Sequence, residues 1–153
     1  MIKNNNNSGG CIMKNMLSFL GRLLLAHLFL IAGIEKILDP AGTQAYMAAK
    51  GMPLTALFLL AAIAFELGGG LSLLIGFWAR WGALALALFL VPTTLIFHTQ
   101  FSDPMQQVMF MKNLAIIGGL LMTSAFGPGR FSWDERAARA AKLPASRKRD
   151  ISG

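Results

Sequence analysis

Residues 54 to 77 read LTALFLLAAIAFELGGGLSLLIGF, an apolar run whose single ionisable group, Glu66, falls near its middle. At about 1.5 Å per residue such a run crosses a hydrocarbon core of about 30 Å, and it lacks the polar face that a water-soluble helix needs. A charge at a helix centre costs roughly 3 kcal/mol on insertion scales, while each central Leu, Ile or Phe returns about 0.3 to 0.6. Leu57, Phe58, Leu59, Leu60, Ile63 and their neighbours therefore carry Glu66 into the bilayer. Once there, the carboxylate must be protonated, face water or meet a cation, since a lone charge in lipid is the most expensive state.

Three further stretches repeat the pattern, giving spans at about 17–38, 54–77, 81–97 and 105–126. The reading is an all-α integral membrane four-helix bundle. Composition agrees: 55% of 153 residues are hydrophobic and 14% charged, too apolar for one soluble domain. The net charge of +7 sits mostly just outside the spans, where a membrane surface selects it, and this argues against nucleic acid as a partner. Cys11 is the only cysteine, so the chain has no internal disulfide, Cys-x-x-Cys pair or thiolate metal site, and no metal is expected.

Residues 1–15 are polar and of low complexity and are expected to be a disordered leader; no apolar signal region precedes Cys11, so acylation there is not expected. In the first span Ala26, Phe29, Gly33 and Lys36 fall within about 40° of Arg22 at 100° per residue, a face expected to meet the bundle. His27 points elsewhere and reads as a structural histidine bonded to a neighbouring helix. Asp39-Pro40 ends the span, and a connection holding Tyr46, Lys50 and Gly51 leads to Pro53. Trp78-Ala79-Arg80-Trp81 is a tight interfacial turn. Pro92 is expected to bend the third span, with neighbouring helices or the Thr93 and Thr94 hydroxyls satisfying the freed carbonyl. His98 lies at that span's exit, and Lys112 with Asn113 just inside the fourth, where Lys112 either snorkels outward or turns inward with Asn113.

Gly127-Pro128-Gly129 ends the fourth span, and Ser132-x-x-Glu135 is a capping box that opens a short basic helix reaching Leu143. Residues 130–153 form a basic tail suited to anionic lipid. Lys and Arg concentrate at the N-terminal side, at Arg80 and in the tail, so both termini are expected in the cytoplasm of a multi-pass inner-membrane protein. That orientation puts Lys36, His98 and Lys112 towards the outer leaflet, around an outward-facing polar pocket.

Several of these residues together resemble the DoxX family of small bacterial membrane proteins. The marks are Arg22, Phe29, Gly33 and Lys36; Glu66-Leu67-Gly68-Gly69-Gly70 with Gly76 and Arg80; Lys112-Asn113-Leu114-Ala115-Ile116-Ile117-Gly118-Gly119; and Gly127-Pro128-Gly129. The resemblance covers residues 17–133 and implies a four-helix inner-membrane bundle (residues 16–129). Some members of that family are membrane subunits of thiosulfate:quinone oxidoreductase or partners in oxidative-stress and sulfur-handling complexes.

Two functions follow. In one, the chain is a membrane subunit of a redox system that binds a quinone, with Glu66 and Arg22 or Lys112, beside Asn113, handling protons or an anionic substrate, and Lys36 and His98 as candidates for holding the cofactor. A redox-enzyme partner would then supply the electrons. In the other, it is a non-catalytic module that recruits or stabilises partner proteins, the same residues acting as polar contacts between helices. Arg22, on the packed face and with the longer reach, is the preferred partner for Glu66.

Overall fold

The computed structural model describes residues 6–142. The chain runs through α1 (Asn6–Leu38), α2 (Pro40–Ala49), α3 (Thr55–Ile75), α4 (Ala79–Phe97), α5 (Pro104–Phe126) and α6 (Trp133–Lys142). α1, α3, α4 and α5 are long and apolar enough to cross a membrane. α1 packs on α3, α3 on α4 and α4 on α5, while α5 meets α1 along a thinner seam. Leu24, Leu60 and Met111 are exposed on the outside, as a lipid solvent permits.

Small residues set the helix spacing. A Cβ at Gly33 would lie 2.7 Å from Leu67 Cδ2, and one at Gly69 2.5 Å from Leu86 Cγ, so α3 is pressed against α1 on one side and α4 on the other. Ala26, Phe29, Leu73, Leu86 and Leu120 fill the space these contacts enclose.

α1 starts at Asn6, inside the stretch expected to be a disordered leader; residues 1–5 lie outside the described residues. Extending a helix already nucleated by a membrane span adds one hydrogen bond per residue fixed, so polar composition alone does not stop it. The expected loop after Pro40 contains α2. Asp39 caps that helix, its Oδ1 accepting from Gly42 N at 2.9 Å, with Pro40 in the first turn. Asp103-Pro104 opens α5 in the same way, Asp103 accepting from Met105 N at 2.9 Å. The Asp-Pro pair that ends α1 is thus also the start signal of the next helix.

α4 continues through Pro92. Thr93 Oγ1 donates to Phe89 O at 2.9 Å and Thr94 Oγ1 to Leu90 O at 2.6 Å. Neither takes the Leu88 carbonyl that Pro92, lacking an N–H, cannot serve, which corrects the expected role of those hydroxyls.

The segment after α5 folds back under the end of the bundle where α3 passes into α4, against the first half of α1. Ser132 accepts from Glu135 N at 3.3 Å, the capping contact expected of Ser132-x-x-Glu135, and α6 follows. Asp134 accepts from the amides of Trp78 and Ala79 at 2.9 and 3.1 Å, capping α4 from another element. Arg130 N donates to Asn15 Oδ1 at 3.2 Å. The root of the tail is therefore part of the bundle; Leu143 and the basic run that follows it lie outside the described residues.

Candidate functional site

Glu66 is buried on α3 at the level where Gly33 lets α1 approach; a Cβ on Gly33 would be 3.4 Å from Glu66 Cβ. Lys36, one turn beyond Gly33, therefore shares that contact face. Its side chain turns back along α1, donating to Ala32 O at 3.2 Å and to Glu66 Oε1 at 2.9 Å. Nζ is also 2.9 Å from Oε2, which is buried and has no aligned hydrogen-bond donor. The lysine side chain is 22% exposed and the glutamate 8%, an ion pair with one partner reaching open space.

That space is a cavity of about 940 Å³ between α1, α3 and α4, covered at one end by α2. Its wall is mostly apolar and aromatic, with Phe65 and Phe89 stacked at 5.5 Å and Tyr46 and Phe97 at 5.3 Å. Met47 of α2 packs with Leu59 and Phe97 behind the second pair, and Thr55 Oγ1 donates to Gln44 Oε1 at 3.2 Å, fastening α2 over the bundle. The polar lining comprises Glu35, Lys36 and Asp39 at the end of α1, Thr43 of α2, Glu66 of α3, and Thr93 and His98 at the end of α4. His98 Nδ1 is 2.8 Å from Gln106 Oε1, which ties the end of α4 to α5. The size and the apolar wall with a few convergent polar groups are those of a small-molecule site.

The structure gathers the two cofactor candidates, Lys36 and His98, with Glu66 around one cavity, and separates the other predicted site residues from it. Arg22, the preferred partner for Glu66, is elsewhere. It is 1% exposed, and donates from Nη1 to Leu73 O at 3.2 Å and from Nη2 to Phe131 O at 2.6 Å. The guanidinium also lies 5.8 Å from the Phe19 ring centroid. At Gly76, where φ is +76°, a Cβ would collide with Arg22 Nη1 and with Ser132. Arg22 thus fastens α1 to the end of α3 and to the returning tail, and its two carbonyl acceptors occupy the reach expected for Glu66.

Lys112 is exposed and lies outside the cavity wall, so it faces away from the Glu66 site. Asn113 is buried and donates from Nδ2 to Thr94 Oγ1 at 3.0 Å, joining α5 to α4. Of the two readings of Lys112, the structure has the outward one: neighbours in a helix point 100° apart, and only Asn113 turns in, so Lys112 is not a partner for Glu66. His27 is exposed on α1 with no hydrogen-bond partner among the described residues, which corrects its reading as a histidine bonded to a neighbouring helix. Glu35, Asp39 and Tyr46, absent from the predicted set, line the cavity. The signal for the first two was their place beside Lys36, on the turn where α1 ends.

Comparison with known proteins adds three findings. The DoxX family model matches residues 17–99. The chain is 45% identical over 113 residues to inner membrane protein YqjF of Escherichia coli (strain K12), spanning 74% of this chain and 85% of that protein. It is 29% identical over 126 residues to inner membrane protein YphA of the same organism, spanning 79% and 90%. No solved structure matches it.

Proposed function

Because this chain belongs to the DoxX family and is a multi-pass inner-membrane protein, we propose that it is the membrane-embedded subunit of a quinone-linked redox system, binding the ring of a membrane-dissolved quinone in the cavity between α1, α3 and α4. The observation that carries this reading is the Lys36–Glu66 ion pair at the wall of an apolar, aromatic cavity of about 940 Å³. Ligand pockets typically measure about 300 to 1,000 Å³, so a ring and the first part of an isoprenoid tail fit. The Glu66 carboxyl group, held 2.9 Å from the Lys36 ammonium at the cavity wall, stands where it can take or return a proton as a quinone ring changes oxidation state. Electrons come from a partner protein docked at the membrane surface, of the oxidative-stress or sulfur-handling class.

A photoreactive quinone added to membranes containing the full chain is expected to label peptides of α1, α3 and α4. Excess unlabelled quinone and Lys36→Met should both suppress the labelling. Labelling confined to the outer, lipid-facing surface, or insensitive to competitor, would sink the proposal.

A second reading, the non-catalytic module that holds partner proteins, is favoured by Arg22, whose bonds are all to main-chain carbonyls of this chain. It accounts for the end of the bundle near the tail, and leaves the cavity without a purpose.

A further inference from the structure

Hydrogen-bond donors on the cavity wall are almost all committed within the protein. Lys36 gives its protons to Ala32 O and to Glu66. Thr43 Oγ1 donates to Asp39 O at 2.9 Å and Thr93 Oγ1 to Phe89 O at 2.9 Å. His98 Nδ1 is paired with the Gln106 oxygen at 2.8 Å and is committed there. Among the described side chains of the wall, the Tyr46 hydroxyl and the third proton of the Lys36 ammonium, which lies 2.9 Å from Glu66 Oε2, are the donors left over.

Acceptors, by contrast, are in surplus. The Glu66 carboxylate has places for about four hydrogen bonds and receives one aligned donor, Oε2 being buried without one. Glu35, beside it on the wall, has no partner among the described residues. Asp39 accepts a single amide through Oδ1. Leu88 and Pro92 both line the cavity, and the Leu88 carbonyl has lost its helical donor to that proline. Of these carboxylates only Glu66 is buried, and a buried acceptor without a donor costs free energy that a ligand O–H can recover, whereas Glu35 and Asp39 are exposed and add acceptors at the cavity mouth.

We infer that the cavity selects an amphiphile whose polar end donates hydrogen bonds, and so takes the hydroquinone in preference to the quinone. The two forms share ring and tail and differ in that one carries two hydroxyl donors where the other carries two carbonyl acceptors. An acceptor-rich wall binds the first and repels the second. The inference rests on the cavity being the quinone site, and it adds the oxidation state that the site holds.

The test uses the full chain in lipid nanodiscs under anaerobic conditions, with decylubiquinol and decylubiquinone as the matched pair and binding read by equilibrium partition. Decylubiquinol is expected to bind at least about tenfold more tightly, the worth of one charge-assisted hydrogen bond. In Glu66→Gln, whose amide accepts at one oxygen and donates at its nitrogen, the advantage should shrink to about threefold or less. Thr93→Val removes one acceptor at nearly constant shape and should lower the advantage by a smaller factor, keeping the test open if Glu66→Gln does not fold. Equal or tighter binding of decylubiquinone overturns the inference and leaves the cavity reading standing, as does an advantage unaltered in both variants. Failure of either form to bind overturns the cavity reading, and this inference with it.

Discussion

Lys36 stands almost at the end of α1, yet its ammonium reaches a carboxylate in the middle of α3. Counting depth along the two helices places them apart. Two local facts remove the difference: Gly33 brings the helix axes together beside Glu66, and the lysine side chain runs back towards the start of its own helix. The residue types of the site were legible in the sequence, since a carboxylate inside a membrane span must be answered. Its partner was not, because the long reach of Arg22 made it look suitable while nothing in the sequence showed that Leu73 and Phe131 would engage it first. Removing one member of a buried pair leaves the other charge uncompensated, a cost of about 3 to 5 kcal/mol when both are fully enclosed. Lys36 is partly open, so Lys36→Met is expected to lower stability by less, about 2 kcal/mol. Lys36→Met combined with Glu66→Gln should regain most of that. Thermal unfolding of the four members of this cycle in one detergent checks the coupling; additive losses would show that the pair contributes nothing.

Glycines shape the elements according to where they stand, and the sequence does not reveal which ones matter. Gly118 and Gly33 both lie in spans of this chain. A Cβ on Gly118 meets open space, whereas one on Gly33 meets Leu67. Gly118→Ala is therefore expected to leave the melting temperature unchanged or slightly raised, because alanine is the better helix former by about 1 kcal/mol. Gly33→Leu should push α1 from α3, separate Lys36 from Glu66 and lower the melting temperature by several degrees. Equal effects at the two positions would contradict the packing described here. Gly76 is a stronger case, since its backbone is left-handed and its missing side chain is the space occupied by Arg22 and Ser132. Gly76→Ala should loosen the tail root and increase proteolysis after Arg130, measured by limited digestion of the protein in detergent micelles. Apart from the start of α1, which lies well before the expected residue 17, span positions were legible to within about two residues because hydrophobic length is a strong signal. α2 was not, since a short helix inside an expected loop is announced only by the Asp39-Pro40 cap, which also reads as a stop.

At the scale of the whole molecule, four spans bring the segment after α5 back to the side where α1 begins, and the two are in contact: Arg130 N bonds to Asn15, and Phe131 O to Arg22 of the same α1. Which side this is depends on charge. Lys14, Arg80, Arg130, Arg136 and Arg139 gather at that face, while the opposite connections carry Lys50 with Asp39 and Asp103. Translocating a short basic segment is disfavoured, so the face with the termini should remain in the cytoplasm. That orientation opens the α2-covered cavity towards the outer leaflet and keeps α6 at the inner surface, where a partner enzyme would dock. It predicts that a fluorescent protein fused after Gly153 folds and fluoresces, whereas alkaline phosphatase fused there is inactive. The same phosphatase inserted after Gly51, between α2 and α3, should be active. The reverse pattern would turn the molecule over. The cavity mouth would then face the inner leaflet, with the basic tail root exposed to the periplasm, and the proposed electron donor would have to be sought on that side.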